Sequence, residues 1–123
     1  MKLLLVCPLW YMERQAVTPS LGLMYLASVA RQWVSPPPEV KLVHMRANMQ
    51  SVAQYERFLR SYNPDVVGFG ALSAEAPGLY NIMSLTRSVL PSAFIVVGGP
   101  HATFFTDHVL DKPEPDVAVI GPR

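Results

Sequence analysis

The chain has 123 residues, 50% of them hydrophobic and 15% charged, and its formal net charge is +1. This length suits one domain with a single core, and a charged share well below the typical value of about 25% excludes a disordered chain. The charge balance gives no reason to expect nucleic acid as a partner. The single cysteine, Cys7, excludes both a disulfide framework and a three-cysteine iron–sulfur site within these residues.

The first part of the chain predicts a strand, a helix and a second strand. Residues 2–7 form a continuous apolar run, which is typical of a strand that is buried on both faces. Thr18 followed by Pro19 is an N-cap with proline at the first helical position. Apolar residues then recur every three to four positions until the prolines at 36–38 end the helix. A second strand is predicted at 40–44.

The rest of the chain alternates helix and strand. Ser51 and Gln54 have the spacing of a capping box, and Asn63 followed by Pro64 ends the helix that they begin. The elements predicted after it are a strand at 65–70, a helix whose apolar face is marked between residues 79 and 90 and which Pro91 ends, a strand at 93–98, a short helix at about 103–110 and a strand at 116–121.

This order of elements predicts an α/β fold. Crossovers between parallel strands are right-handed, so we expect a flavodoxin-like, doubly wound, five-stranded parallel sheet of order 2-1-3-4-5 within three α/β/α layers. In such a sheet, ligands bind outside the carboxyl ends of the strands, where the strand order reverses. The loops after the first, third and fourth strands are therefore the candidate binding loops.

The loop after the first strand, residues 8–17, is long for this type of connection. It carries large apolar side chains at positions 9–12. They either fold back onto the helix of this domain or face a large ligand or a second domain.

The loop after the third strand carries small residues. Gly68, Gly70 and Ser73 resemble the dinucleotide fingerprint loosely, but the third glycine is missing and Pro77 delays the helix, so a dinucleotide is not expected. Small side chains and backbone amides near a helix start suit a flat ligand with hydrogen-bonding edges.

The loop after the fourth strand begins with two glycines. A positive φ in a tight turn would explain one of them, whereas Gly98 and Gly99 together allow a ligand to approach the backbone closely. Pro100 and His101 follow. We interpret His101 as a hydrogen-bond donor rather than a metal ligand, because no second ligand is spaced near it.

The sequence lacks the residues that several familiar activities require. The aspartate that a phosphoacceptor receiver needs after the third strand is absent, as are the phosphate loops of flavodoxins and of P-loop proteins. Cys7 and His101 form a conceivable nucleophile pair without a nearby carboxylate, and a cysteine at the end of a buried strand is usually a small core residue.

Segments spread over nearly the whole chain carry a family resemblance. In order and spacing they resemble the N-terminal cobalamin-binding domain of cobalamin-dependent radical S-adenosylmethionine enzymes. The segments are KLLLVCP at 2–8, TPSLGLMYLA at 18–27, PDVVGFG at 64–70, VVGGPHAT at 96–103 and PDVAVIG at 115–121.

This resemblance implies cobalamin as the ligand, carried on the carboxyl edge of the sheet with its nucleotide tail between sheet and helices. A large apolar ring with amide arms needs long apolar loops together with exposed backbone polar groups. The contacts that the resemblance implies are Gly98 and Gly99 beside the tail, Gly70, Leu72 and Ser73 flanking it from the third strand, Pro19, Leu21 and Gly22 on the corrin side, and Pro100 and His101 along the fourth-strand loop.

The chain departs from cobalamin proteins that ligate cobalt through a histidine in an Asp-x-His-x-x-Gly motif after the first strand. Pro8, Leu9 and Trp10 stand there instead, so we expect no histidine from this loop on cobalt. The mutase-type Ser-x-Leu is replaced by residues 70–72, with Ser73 one step later.

The resemblance also implies a larger enzyme. We expect residues 1–123 to be a cobalamin-binding domain, excised from or preceding a radical S-adenosylmethionine barrel of methyltransferase or ring-forming type, and not catalytic alone. S-adenosylmethionine and a 4Fe–4S cluster would belong to that downstream domain. Residues 121–123 read Gly-Pro-Arg where the family usually has Gly-Glu-Gly. The alternatives are a cofactor-free docking domain and a small hydrolase built on Cys7 and His101.

No part of the sequence predicts a membrane span. Residues 21–30 are the longest apolar stretch, and Arg31 ends it at about half of the roughly 20 residues that a span needs. Pro8 interrupts the apolar run that follows Lys2, which is too short for a signal peptide. We expect a cytoplasmic location.

Overall fold

A computed structural model describes residues 1–7, 21–44, 51–70, 76–99, 102–103 and 105–119, and the structural statements below concern these residues. The strands are β1 (Lys2–Cys7), β2 (Glu39–His44), β3 (Val66–Gly70), β4 (Phe94–Gly98) and β5 (Val117–Ala118). The helices are α1 (Leu21–Trp33), α2 (Val52–Tyr62), α3 (Ala76–Val89) and α4 (Thr106–Leu110).

The strands form one parallel sheet of order β2-β1-β3-β4-β5, which confirms the predicted fold class. β1 pairs with β2 on one side and with β3 on the other. The strand order therefore reverses between β1 and β3, as predicted for a doubly wound sheet.

Three predicted element boundaries differ from the structure. Pro77 does not delay α3, which begins at Ala76, because a proline in the first helical turn has no N–H bond to lose. α4 begins at Thr106 rather than at about residue 103. β5 covers only Val117–Ala118, although the amides of Asp116 and Val119 also donate to β4 carbonyls at 2.8 Å. Residues 120–121 of the predicted strand lie outside the described residues.

The predicted ends of α2 are confirmed. The Ser51 hydroxyl accepts a hydrogen bond from the Gln54 amide at 3.2 Å. At the other end, Asn63 adopts the left-handed conformation (φ 50°), and its amide donates to the Leu59 carbonyl at 2.8 Å. The helix ends there because Pro64 cannot extend it.

The two faces of the sheet carry different helices. On the first face, α2, α3 and α4 cover an apolar core that includes residues of β1, β3 and β4. On the second face, α1 packs over β1 and β2, where Leu5, Cys7, Ala27 and Val40 form a separate buried cluster. Side chains alternate between the two faces along each strand, so neighbouring residues belong to different clusters.

One buried hydrogen bond joins two helices of the first face. The Thr86 hydroxyl donates its only proton to the Ile82 carbonyl at 2.7 Å. The Tyr55 hydroxyl, 2.8 Å from the Thr86 oxygen, must therefore be the donor in the second bond. Burial raises the pKa of Tyr55 above its ordinary value, which keeps this donor protonated.

An arginine links α3 to the amino ends of β4 and β5. Arg87 donates to the Ala93 carbonyl at 2.7 Å, and to the Glu114 carbonyl and the Asp116 carboxylate at 2.8 Å each. The same Asp116 oxygen accepts the Ile95 amide at 2.8 Å. The Ile95 N–H and then the Arg87 guanidinium hold the pKa of Asp116 below its usual range.

The variant Asp116→Asn is expected to lower the free energy of unfolding by about 1 kcal/mol at neutral pH, a modest loss because the pair is partly exposed. A depressed carboxyl pKa stabilises the folded state above the unfolded value of about 3.9, and this contribution is lost as the pH falls through the lower folded value. Urea unfolding between neutral and acidic pH should therefore show a weaker acid dependence in the variant.

Glu56→Gln is the control for this prediction. It removes an exposed ion pair with Arg60 at 3.7 Å, which should contribute almost nothing. Equal losses of unfolding free energy for the two variants, or an unchanged acid dependence for Asp116→Asn, would contradict the stabilising role given to the Asp116 carboxylate.

Candidate functional site

Two adjacent strands end in glycine at the carboxyl edge of the sheet. Gly70 of β3 and Gly98 of β4 are partners in the parallel register. Because neither has a side chain, the backbone can be approached closely at two neighbouring positions. This pairing brings together two residues that the sequence analysis assigned to different loops of one site.

Gly98 is not required by the packing of the described residues. A Cβ atom built there would lie 3.8 Å from the Val119 Cβ and 3.9 Å from the Val119 carbonyl oxygen, which is ordinary contact. Its φ is not in the left-handed region. Gly98 therefore leaves room at the edge that a side chain would fill, which is what a ligand approaching the backbone needs.

Gly99, by contrast, is explained by its backbone. Its φ of 91° strains any residue with a side chain. Its carbonyl accepts hydrogen bonds from the Thr103 amide at 3.1 Å and from the Thr103 hydroxyl at 3.0 Å. These bonds tie Thr103 to the end of β4, so the glycine at position 99 is explained by its backbone whether or not a ligand is present.

Gly68 has a third role, because it lies within β3 and packs against β1. A Cβ atom there would lie 2.9 Å from the Leu5 Cδ2 atom. The glycine spacing that loosely resembles a dinucleotide fingerprint thus includes a residue used for packing between strands.

The described site residues lie at the same end of the sheet. Gly70, Gly98 and Gly99 lie at the carboxyl ends of β3 and β4, and Leu21 and Gly22 begin α1. α1 runs antiparallel to the strands, so its first turn belongs to the carboxyl edge. The remaining predicted site residues lie outside the described residues, and their positions stay predictions; they are Pro19, Leu72, Ser73, Pro100 and His101.

The sequence analysis missed Val119 as a neighbour of this edge. Its side chain approaches Gly98 because the Val119 amide donates to the Val97 carbonyl at 2.8 Å. The only available signal was the expected pairing of the fifth strand with the fourth, which does not define a register.

Some titratable groups with shifted pKa values lie at the opposite edge of the sheet, where the strands begin. Burial and then the neighbouring Glu39 raise the pKa of Tyr62 to about 12, and the ammonium groups of Lys2 and Lys41 lie 5.3 and 4.9 Å from its ring centroid. Asp116 also lies at the amino end of its strand. In the described part of the carboxyl edge, backbone groups and apolar side chains predominate, which suits binding better than acid–base chemistry.

Cys7 ends β1 and is 7% exposed within the second-face cluster. This environment fits a core cysteine, while its hypothetical partner His101 lies outside the described residues. In the described ranges, no three His, Cys, Asp or Glu side chains are grouped to hold a metal ion. None of the helices seen there is long and apolar enough to cross a membrane.

Comparison with known protein families identifies the family of this chain. Residues 12–123 match the B12 binding domain. The chain belongs to the B12-binding domain family. Membership implies cobalamin as the ligand, and the predicted resemblance to a cobalamin-binding domain is confirmed.

Two curated relatives of this B12-binding domain are methyltransferases. An uncharacterized methyltransferase of Pyrococcus horikoshii is 31% identical over 108 residues, which cover 85% of this chain and 23% of the relative. The cytidylyl-2-hydroxyethylphosphonate methyltransferase of Streptomyces wedmorensis is 31% identical over 119 residues, covering 82% of this chain and 22% of the relative. The chain thus spans less than a quarter of either relative. No solved structure matches it significantly.

The glycines of the fourth-strand loop should differ in their effect on stability. Gly99→Ala is expected to lower the free energy of unfolding by about 1–2 kcal/mol, because alanine is strained at positive φ. Gly98→Ala should stay within about 0.5 kcal/mol of the wild type, because its Cβ has room. Thermal or urea unfolding measures both, and a larger loss for Gly98→Ala than for Gly99→Ala would contradict the assignment.

Proposed function

We propose that this B12-binding domain is the cobalamin-carrying module of a larger radical S-adenosylmethionine enzyme that transfers methyl groups. The family match and the paired glycines at the carboxyl edge support cobalamin as the ligand. Two relatives named as methyltransferases favour methyl transfer over the ring-forming alternative.

One observation on the described residues supports their fit to cobalamin. Among the described residues, packing does not require a glycine at position 98, and Gly70 lies directly beside it. In the proposal, the nucleotide tail runs past these two glycines, while Gly99 turns the loop that carries Pro100 and His101. Leu72 and Ser73 flank the tail, and Pro19, Leu21 and Gly22 line the corrin side.

Cobalamin, when bound, supplies a cobalt centre that carries a methyl group. The protein's own part is to bind and orient this cofactor. Apolar side chains at positions 9–12 would cover the corrin and exclude water, and backbone groups at the strand ends would bind the amide arms. No acid or base in this chain is assigned a step.

We further propose that cobalt receives no histidine from the loop after β1. Residues 8–20 contain no histidine. His108 is exposed on α4 and packs edge-on against Tyr80, with ring centroids 5.6 Å apart, on the first face of the sheet. The lower face of the corrin would then be covered by apolar side chains.

The radical chemistry would belong to another domain of the same protein, located in the cytoplasm. That domain would hold S-adenosylmethionine and a 4Fe–4S cluster. This part of the proposal rests on the family resemblance and on relatives that are several times longer than this chain. A Cys-x-x-x-Cys-x-x-Cys motif in the complete reading frame would support it, and a complete reading frame without one would contradict it.

The binding proposal is tested on the protein expressed from its complete reading frame and mixed with hydroxocobalamin. After removal of free ligand, the visible spectrum should show retained corrin. Gly98→Ala should weaken binding by about tenfold, equivalent to about 1.4 kcal/mol, because the new Cβ lies against the tail.

Ser84→Ala, an exposed change on α3, is the matched control and should bind like the wild type. If the Gly98→Ala protein keeps both its stability and its full affinity for cobalamin, the nucleotide tail does not pass this edge. If the wild type retains no corrin, the cobalamin proposal itself is wrong.

The coordination proposal has its own measurement. Electron paramagnetic resonance of the bound, reduced Co(II) form should show no nitrogen superhyperfine splitting from a histidine. His101→Ala should leave the spectrum unchanged. Splitting that disappears in His101→Ala would show that His101 ligates cobalt, contrary to its interpretation as a hydrogen-bond donor.

A docking domain without a cofactor is the second candidate. It is favoured by exposed apolar side chains of the β4–β5 region, including Phe94 and Val119. Concentration-dependent self-association together with a complete lack of corrin binding would support it over the first proposal.

A further inference from the structure

One residue ties the start of β5 to β4 through both its backbone and its side chain. The Asp116 amide donates to the Ile95 carbonyl at 2.8 Å, and the Asp116 carboxylate accepts the Ile95 amide, also at 2.8 Å. The carboxylate here takes the part of a backbone carbonyl, which is the usual acceptor in a parallel ladder. We call these two bonds between Asp116 and Ile95 the Asp116 clamp.

Arg87 of α3 holds the carboxylate of the Asp116 clamp in place. Its Nη2 atom donates to the carboxylate oxygen that accepts the Ile95 amide, and to the Glu114 carbonyl, at 2.8 Å each. Charge-assisted hydrogen bonds are stronger than neutral ones, so this oxygen is fixed by two donors from two different elements. The chain is thus held on both sides of Pro115 before β5 begins.

β5 has few other interactions that could fix its position along β4. The strand comprises only Val117–Ala118, which pair with Val96 and Val97. Burial sets the register of a strand where one face is covered, but the Val117 side chain is 41% exposed. The register of this short strand therefore depends strongly on the Asp116 clamp at its start.

The position of β5 decides which side chain lies beside Gly98. Three residues after Asp116, or about 10 Å along an extended chain, the Val119 amide donates to the Val97 carbonyl at 2.8 Å. The Val119 Cβ then lies 3.8 Å from the position of a Cβ atom on Gly98. A shift of β5 by one residue would turn the Val119 side chain to the other face of the sheet.

We propose that Asp116 is a positioning residue for cofactor binding: its clamp on Ile95 holds the Val119 side chain beside Gly98, where it forms one wall of the path of the nucleotide tail. This inference rests on the function proposed above and adds to it a residue outside the predicted site. Asp116 lies at the amino end of β5, away from the carboxyl edge, so its effect on binding is carried by Val119.

Hydrogen–deuterium exchange tests the clamp without cobalamin, in the protein expressed from its complete reading frame. In Asp116→Ala, the peptide that contains Val119 should exchange about thirtyfold faster than in the wild type, because the short strand opens locally. Asp116→Asn keeps an oxygen that accepts the Ile95 amide, so its exchange should stay within about fivefold of the wild type. The control is Tyr55→Phe, which removes a buried hydrogen bond to Thr86 on the first face and should leave this exchange unchanged.

The affinity of the same variants for hydroxocobalamin tests the effect on binding. Asp116→Ala should bind about fivefold more weakly than the wild type, Asp116→Asn should recover most of this loss, and Tyr55→Phe should bind like the wild type. Val119→Ala, which shortens the wall directly, should weaken binding by a similar factor. Adding Asp116→Ala to Val119→Ala should cause little further loss, because both changes act on the same contact.

Equal exchange of the Val119 peptide in Asp116→Ala and Tyr55→Phe would overturn the proposal, as would fully additive losses of affinity for Asp116→Ala and Val119→Ala. If Asp116→Ala does not fold, full affinity of Val119→Ala would overturn the proposal by itself. A wild type that binds no corrin would overturn both the proposed function and the role of Asp116 in binding. Faster exchange in Asp116→Ala would then show that the clamp itself had not failed.

Discussion

The parallel pairing of β1 with β3, and of β3 with β4, determines where every other feature of this domain lies. The first pairing reverses the strand order and creates the position where ligands bind in doubly wound sheets. The second aligns Gly70 with Gly98, so that two strand ends without side chains lie next to each other. A shift of either strand by one residue would exchange its two faces and separate these glycines.

At three positions near this edge, the presence of a glycine has different physical reasons. Gly68 is small because Leu5 packs against it, and Gly99 is a glycine because its φ is 91°. Gly98 has neither constraint, since a Cβ there makes only ordinary contacts. Gly98 is therefore the one of these three whose small size the described residues do not explain, which supports its proposed place beside the cofactor.

The two faces of the sheet are stabilised to different extents. The first face has a closed core, with a hydrogen bond between Tyr55 and Thr86 and an arginine that ties α3 to β4 and β5. In the part of the chain that the structure describes, α1 is the helix that packs on the second face, and Phe94 and Val117 are about half exposed there.

The sequence by itself determined the fold class, the strand order, the ends of α2 and the family. These depend on local signals, such as apolar runs for buried strands, the Ser51 cap and the prolines that end helices. It also identified the carboxyl edge, because the alternation of strand and helix dictates which loops share an edge. Only the tertiary structure decided the register that pairs Gly70 with Gly98, the short length of β5 and the exposure of the Val117 side chain. These features depend on distances between segments far apart in the chain, and no pattern of neighbouring residues encodes such distances.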